Sequence, residues 1–149
     1  MSGQYVAYTF FRIDRAWRLL PVEERAAAKD AFADVLDDAF GKAPPIVYGE
    51  YGIETTIPPD AAQAYTGSEP ASTGAVDAET QGSDYVEALR LASCQPLVRM
   101  VLFFHVADEP QLERLQTGVY YADGRPKPDR DEVARAARAA ADGKLKCSP

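Results

Sequence analysis

Apolar runs with the period of a strand alternate along this chain with stretches whose apolar residues recur at three- and four-residue spacing. That alternation restricts the fold more than any other feature. Residues 5–13, YVAYTFFRI, are aromatic and β-branched almost throughout, the pattern of a strand covered on both faces. From Pro21 the period changes, and Phe32, Val35, Leu36, Ala39 and Phe40 form one helical stripe that Gly41 can terminate. Pro44 and Pro45 punctuate the connection to a second strand, Ile46 to Ile53. The stretch from Thr56 to Ser83, rich in Pro, Ala, Ser, Thr and Gly, has no period and predicts a long irregular loop, a lid or an insert. Tyr85, Ala88, Leu89 and Ala92 then return to helical spacing before the apolar run Leu97 to Val106. At the end, Asp129 stands at capping-box spacing from Glu132, Val133, Ala136, Ala137 and Ala140 make a stripe, and Gly143 sits where a helix stops. The fold class read from this order is α/β: three successive strand-helix units with parallel strands, like part of a (β/α) barrel, with a long irregular loop after the second strand.

A chain of 149 residues suits one domain, able to bury about two-thirds of its unfolded surface. No apolar run approaches the roughly 18 residues of a membrane span. A net charge of −7 and a pI near 4.7, with no basic cluster, argue against nucleic acid and favour a neutral or polar small substrate. The opening MSGQYVAYTFFRID lacks the basic start, apolar core and cleavage site of a secretory leader, which predicts a cytoplasmic protein as the sequence is written. Cys94 and Cys147 are too few for a metal cluster; free buried thiols suit a cytoplasmic chain, and one bridge is the alternative. No metal or cofactor is expected.

Strand parity sharpens the functional reading. On the second strand Tyr48, Glu50, Gly52 and Glu54 share a face, so polar groups gather on one side. On the third, Val98, Met100, Leu102, Phe104 and Val106 make an apolar face suited to covering helices, while Arg99, Val101, Phe103 and His105 make a mixed one. Glu50 and His105 are therefore expected to meet inside. Glu50 lies in PPIVYGEYGIET, between two glycines in an otherwise apolar strand, where a charge is either paired, for instance by Arg99, or kept for a reaction. In parallel barrels the C-terminal strand ends carry the chemistry, and Glu50, Glu54, His105, Asp108 and Glu109 lie at or just past such ends. His105, the sole histidine, suits either a core group or a substrate ligand. Glu50 and Glu54, four strand residues and so about 13 Å apart, cannot form the roughly 5 Å carboxylate pair of a retaining glycosidase. Asp108 and Glu109 either supply the second carboxylate or belong to a solvated turn. Tyr120 and Tyr121, before an Asp-Gly turn, are a packed edge or a surface that stacks on a sugar, with Tyr48 as a further stacking ring.

Two resemblances follow from these motifs. From about Ala43 to the end, PIVYGEYGIET, YTGSEPAST, CQPLVRMVLFFHVADE, LQTGVYYADGRPKP and the final cysteine resemble the C-terminal part of a (β/α)8-barrel glycoside hydrolase. The resemblance implies that Glu50 is a nucleophile in a retaining hydrolase with carbohydrate as the partner; beside it, Tyr48, His105, Glu109, Tyr120 and Tyr121 are the expected substrate-binding residues. The acid/base of that family stands on a barrel strand with no counterpart here, so half of the catalytic pair is implied and turnover by the isolated chain is not expected. Relatives of that kind are commonly secreted, which would fit a bridge between Cys94 and Cys147 if the true N-terminus lies elsewhere. Residues 5–40 instead resemble the opening of chlorite dismutase-like haem proteins, through Trp17, Arg18, Leu20, Glu24 and Arg25; the haem-binding histidine of that family has no equivalent here. The two segments, 1–41 and 42–149, are expected to pack as one domain, and their meeting point suggests a composite or truncated frame. Three units also leave sheet edges open, so self-association is expected.

Overall fold

The computed structural model of the chain describes residues 21–42, 44–70 and 74–147. The expected first strand, 5–13, lies outside the described residues, as do Trp17, Arg18 and Leu20. Contacts divide the chain into two compact units, with the boundary between Pro44 and Pro45.

In the first unit, α1 spans Val22–Phe40. It stops at Gly41, whose φ of 70° a side chain would strain, and the Gly41 N–H donates to the Asp37 carbonyl. This is the terminator that the sequence predicts.

The second unit holds β1 (Ile46–Tyr51), α2 (Ala78–Ser93), β2 (Val98–Phe103) and α3 (Arg130–Ala141), with a 3₁₀ turn at Ala62–Ala64. β1 and β2 pair in parallel as a two-stranded sheet, and α2 makes the crossover that parallel strands require. The fold is mixed α/β and fits part of a (β/α) barrel. Both strands are shorter than their apolar runs: β1 ends at Tyr51 rather than Ile53, and β2 covers Val98–Phe103 rather than Leu97–Val106.

The long irregular stretch is also shorter than expected, because α2 begins at Ala78. Asp77 caps it, its carboxylate accepting from the Thr80 N–H at 2.7 Å. The first turns, Ala-Glu-Thr-Gln-Gly-Ser, carry no large apolar side chain, so periodicity could not reveal them. The rest of that stretch is tied down by single bridges, Thr55 to Val76 and Thr66 to Gln111.

The helix-facing side of the sheet is the reverse of the one expected. Ring centroids of Tyr85 on α2 and Phe103 on β2 lie 4.6 Å apart, and Tyr51 joins them at 5.8 Å from Tyr85. Ile53, Tyr85 and Val133 are the buried centre of this core, with Tyr51, Val76, Phe103 and Val119 against them. Met100 and Leu102, assigned to the covered face, are 49% and 47% exposed, and Val106 is 70% exposed. β2 turns Val101 and Phe103, not Met100 and Leu102, toward the helices, and the register breaks beside it: Tyr48 pairs with Val101 but Tyr51 with Phe103, so β1 spends three residues where β2 spends two. Tyr51 thereby turns onto the helical side with Phe103, and alternation from Tyr48 cannot be carried through Glu50.

On α3, Val133 and Ala136 are buried as the stripe predicts, and Gly143 follows the end with φ 66°. Beyond the helix, Cys147 forms a disulfide with Cys94 at the end of α2, Cα to Cα 5.4 Å. The expectation of free thiols is therefore corrected. The 53-residue separation makes this closure worth about 4 kcal/mol by loop entropy. Among the described residues no helix is long and apolar enough to cross a membrane, and no group of His, Cys, Asp and Glu has the makings of a metal site.

Candidate functional site

The segments leaving the C-terminal ends of β1 and β2 converge with residues 116–127. Gly52 permits that convergence, since a Cβ there would lie 2.6 Å from the Phe104 carbonyl and 3.0 Å from the Thr117 methyl. Beneath this end lies a wholly buried polar network. Lys127 Nζ donates to Asp108 Oδ1 at 2.9 Å, to Thr55 Oγ1 at 2.6 Å and to the Gln116 carbonyl at 3.3 Å. The Gly118 N–H donates to Asp108 Oδ1 at 2.8 Å, the Tyr65 hydroxyl to Asp108 Oδ2 at 2.7 Å, and the Ala122 N–H to the Tyr65 oxygen at 3.1 Å. Burial pushes the Tyr65 hydroxyl up, and the Asp108 bond and charge add to this. Burial also pulls Lys127 down, against the opposing effect of Asp108.

Asp108 is therefore an internal anchor and not the solvated turn residue its surroundings suggested. Both of its oxygens already accept bonds, so it is a poor candidate for supplying a proton to a substrate. The network is structural: it ties the loop after β1, the loop after β2 and the 116–127 segment to one ion pair. No motif marked Lys127, which stands between two prolines in a stretch that reads as a turn.

α2 fixes the start of the loop after β1. The Ile53 N–H donates to the Tyr85 hydroxyl at 3.1 Å, Tyr85 donates to the Thr117 carbonyl at 2.6 Å, and Gln81 Nε2 donates to the Ile53 carbonyl at 2.6 Å. Tyr85 is fully buried, which pushes its hydroxyl up to about 12. Gln81 is an internal polar residue that no motif or period marks.

The residues singled out from the sequence lie around this frame. Glu50 is the fifth of the six β1 residues, in the irregular step, and its side chain is exposed. Arg99 does not pair with it; its guanidinium donates to the Pro96 and Val98 carbonyls instead. The charge needs no partner because water reaches it. His105 is half-buried beside Phe104, ring centroids 3.7 Å apart, with Nδ1 out of solvent and without a hydrogen-bond partner. No hydrogen bond joins His105 to Glu50.

Tyr48 is 40% exposed and donates to Gln95 Oε1 at 2.8 Å, at the turn that leads into β2. Glu109 closes its own loop, Oε2 accepting from the Leu115 N–H at 3.0 Å. Tyr120 is half-buried and accepts from Arg130 Nε at 2.8 Å. Tyr121 is only 8% exposed, packed with Ala61 and Tyr65, so its ring is part of the interior rather than an open stacking face.

A cleft of about 360 Å³ opens among Thr56, Ile57, Ala62, Tyr65, Glu69 and Leu112. Glu54 stands near Glu69. Burial, and then the Glu69 charge, raise its carboxyl, while the Gln116 N–H works the other way.

No family model matches the chain, and no curated protein matches it. The expectation of a chlorite dismutase-like opening finds no support in these comparisons. Among solved structures the chain is similar to Faecalibacterium prausnitzii β-glucuronidase, at 21% identity over 76% of this chain and 19% of that one, with a TM-score of 0.48. It is likewise similar to Bifidobacterium dentium β-glucuronidase complexed with coumarin-3-O-glucuronide, at 20% identity over 75% of this chain and 18% of that one, with a TM-score of 0.47. The chain thus spans about a fifth of the length of these neighbours.

Proposed function

We propose that the chain is a glycoside hydrolase-like fragment that carries one wall of a carbohydrate site, with Glu50 at the nucleophile position. The observation that supports this reading is the exposed, unpaired Glu50 carboxylate near the C-terminal end of a parallel strand, where open α/β and barrel folds keep their ligands. An exposed carboxylate can accept sugar hydroxyls or attack an anomeric carbon. His105 and Glu109 on the neighbouring loop, with Tyr48 and Tyr120 as aromatic surface, are the proposed binding groups; Tyr121 supports them from within. A retaining mechanism also needs an acid about 5 Å away; Asp108 is committed to its buried bonds, which leaves Glu109 or an acid from a second subunit for that role.

The test is release of nitrophenol from a panel of aryl glycosides, glucuronides included, alongside sugar-binding titrations. Turnover lost in Glu50→Gln supports the hydrolase reading. Equal rates in both proteins remove Glu50 as nucleophile.

A second reading is a non-catalytic carbohydrate-binding or assembly module. It is favoured by the sheet: Val47, Met100 and Leu102 are exposed, and among the described residues each of its two strands has an unpaired edge. Sugar binding without hydrolysis, together with a self-associated species in light scattering, separates this reading from the first. A monodisperse monomer ends the assembly part of it.

A further inference from the structure

α2 and α3 touch where Gly82 meets Asp129. A Cβ on Gly82 would collide with Asp129 Cβ and come within 3.0 Å of its carboxyl carbon, so the Asp129 side chain lies directly against α2. Asp129 is 5% exposed, and neither carboxyl oxygen reaches solvent or has a hydrogen-bond partner among the described residues. An aspartate just before a helix ordinarily accepts from the second or third amide of that helix. Here its backbone is helical, φ −83° and ψ −11°, not extended, and no such capping bond forms.

The charged and titratable groups around Asp129 offset a charge there only in part. Lys127, from its own segment, spends its ammonium on Thr55, Asp108 and Gln116. Glu132 on α3 and Asp108 after β2 are negative. Tyr85 on α2 has committed its hydroxyl to Ile53 and Thr117, and Tyr121 contributes no positive charge. Gln81, next to Gly82, holds a second buried acceptor without a donor, Oε1.

We infer that the Asp129 carboxyl is a proton-dependent clasp between α3 and α2. Protonated, it lets the first turn of α3 lie on Gly82; ionised, it is a buried charge without a partner and drives that turn outward. Burial raises the carboxyl above the ordinary 3.8; its own backbone N–H and Lys127 partly oppose this, and Glu132 and Asp108 add to it. The folded state therefore holds the proton more tightly than the unfolded chain does. Docking is strongest below the ordinary carboxylate range and weakens as pH climbs through the raised value. Because Arg130 holds Tyr120 and Lys127 holds the loops, loosening this turn also loosens the wall beside β2.

The experiment is amide hydrogen exchange of residues 131–136 in the whole chain from about pH 3.5 to about pH 7.5, a range that begins below the ordinary aspartate value and is corrected for the intrinsic pH dependence of exchange. Protection should fall several-fold across that range in the parent and stay level in Asp129→Asn, which keeps the shape without the charge. An equal fall in both proteins, or none in the parent, overturns the inference. Should Asp129→Asn fail to fold, a carbon-13 titration of the parent's Asp129 carboxyl decides: a midpoint above the ordinary aspartate value supports the clasp, and one at or below it overturns it. None of these outcomes depends on carbohydrate binding.

Discussion

Lys127 and Asp108 form an ion pair 2.9 Å long with both side chains entirely out of solvent, and three loops close on it. Removing charges from water is costly, and the pair persists because almost every donor and acceptor around it is used. Breaking one half strands the other. Lys127→Met is expected to destabilise the chain by about 3–5 kcal/mol, read as a lower urea midpoint with an unchanged slope. A loss below about 1 kcal/mol, the range of a surface pair, would show that water reaches the site.

The disulfide offers a second measure. Cys94→Ser opens a closed loop of 53-residue separation, and about 2–4 kcal/mol of stability should go with it. The parent under reducing conditions should match the variant. If reductant leaves the parent's unfolding midpoint in place, the bridge contributes nothing to the folded chain.

Tyr85 bridges Ile53 and Thr117 from the middle of α2. Tyr85→Phe retains the ring packed on Phe103 but leaves the Ile53 N–H and the Thr117 carbonyl unsatisfied, a cost of about 1–3 kcal/mol. Exchange of the Ile53 amide should rise more than that of amides in the middle of α2. A uniform rise across both would assign the hydroxyl no local role.

Gly82→Ala tests the contact between the two helices. Alanine is the better helix former by about 1 kcal/mol, yet its methyl would collide with Asp129. Overpacking of that kind costs about 1–3 kcal/mol, so net destabilisation is expected in thermal unfolding. A stabilised variant would mean that α3 can shift away freely.

Glu54 predicts a pH dependence of its own. Its carboxyl is raised, chiefly by burial and then by Glu69, so the folded state favours the protonated form. The stability it contributes is present below the ordinary value of 4.5 and is lost as pH rises through the raised one. Glu54→Gln should therefore gain on the parent as pH increases through that window, measured by urea unfolding at each pH. A constant difference would place the carboxyl in water.

Much of the fold was legible because periodicity is a local property. The stripe Tyr85, Leu89 and Ala92, the stripe Val133 and Ala136, and the glycine after Phe40 each follow from the spacing of side chains along one element. The first turns of α2 were not legible, since they are held by the Asp77 cap and by polar contacts that carry no period. Asp108 read as a turn residue because its partners, Lys127 and Tyr65, lie 19 and 43 residues away in the chain. The placement of Glu50 was misjudged for a related reason: alternation holds only while register does, and the irregular step before Tyr51 is a property of the strand pair.

The sequence by itself determined the centres of the described helices and strands, and that the two described strands run parallel with a helical crossover between them. Tertiary structure alone decided which face of the sheet is covered, which carboxylates are buried, and that Cys94 meets Cys147. Those outcomes depend on which distant groups come within bonding distance, and local patterns of apolar and polar residues do not encode that.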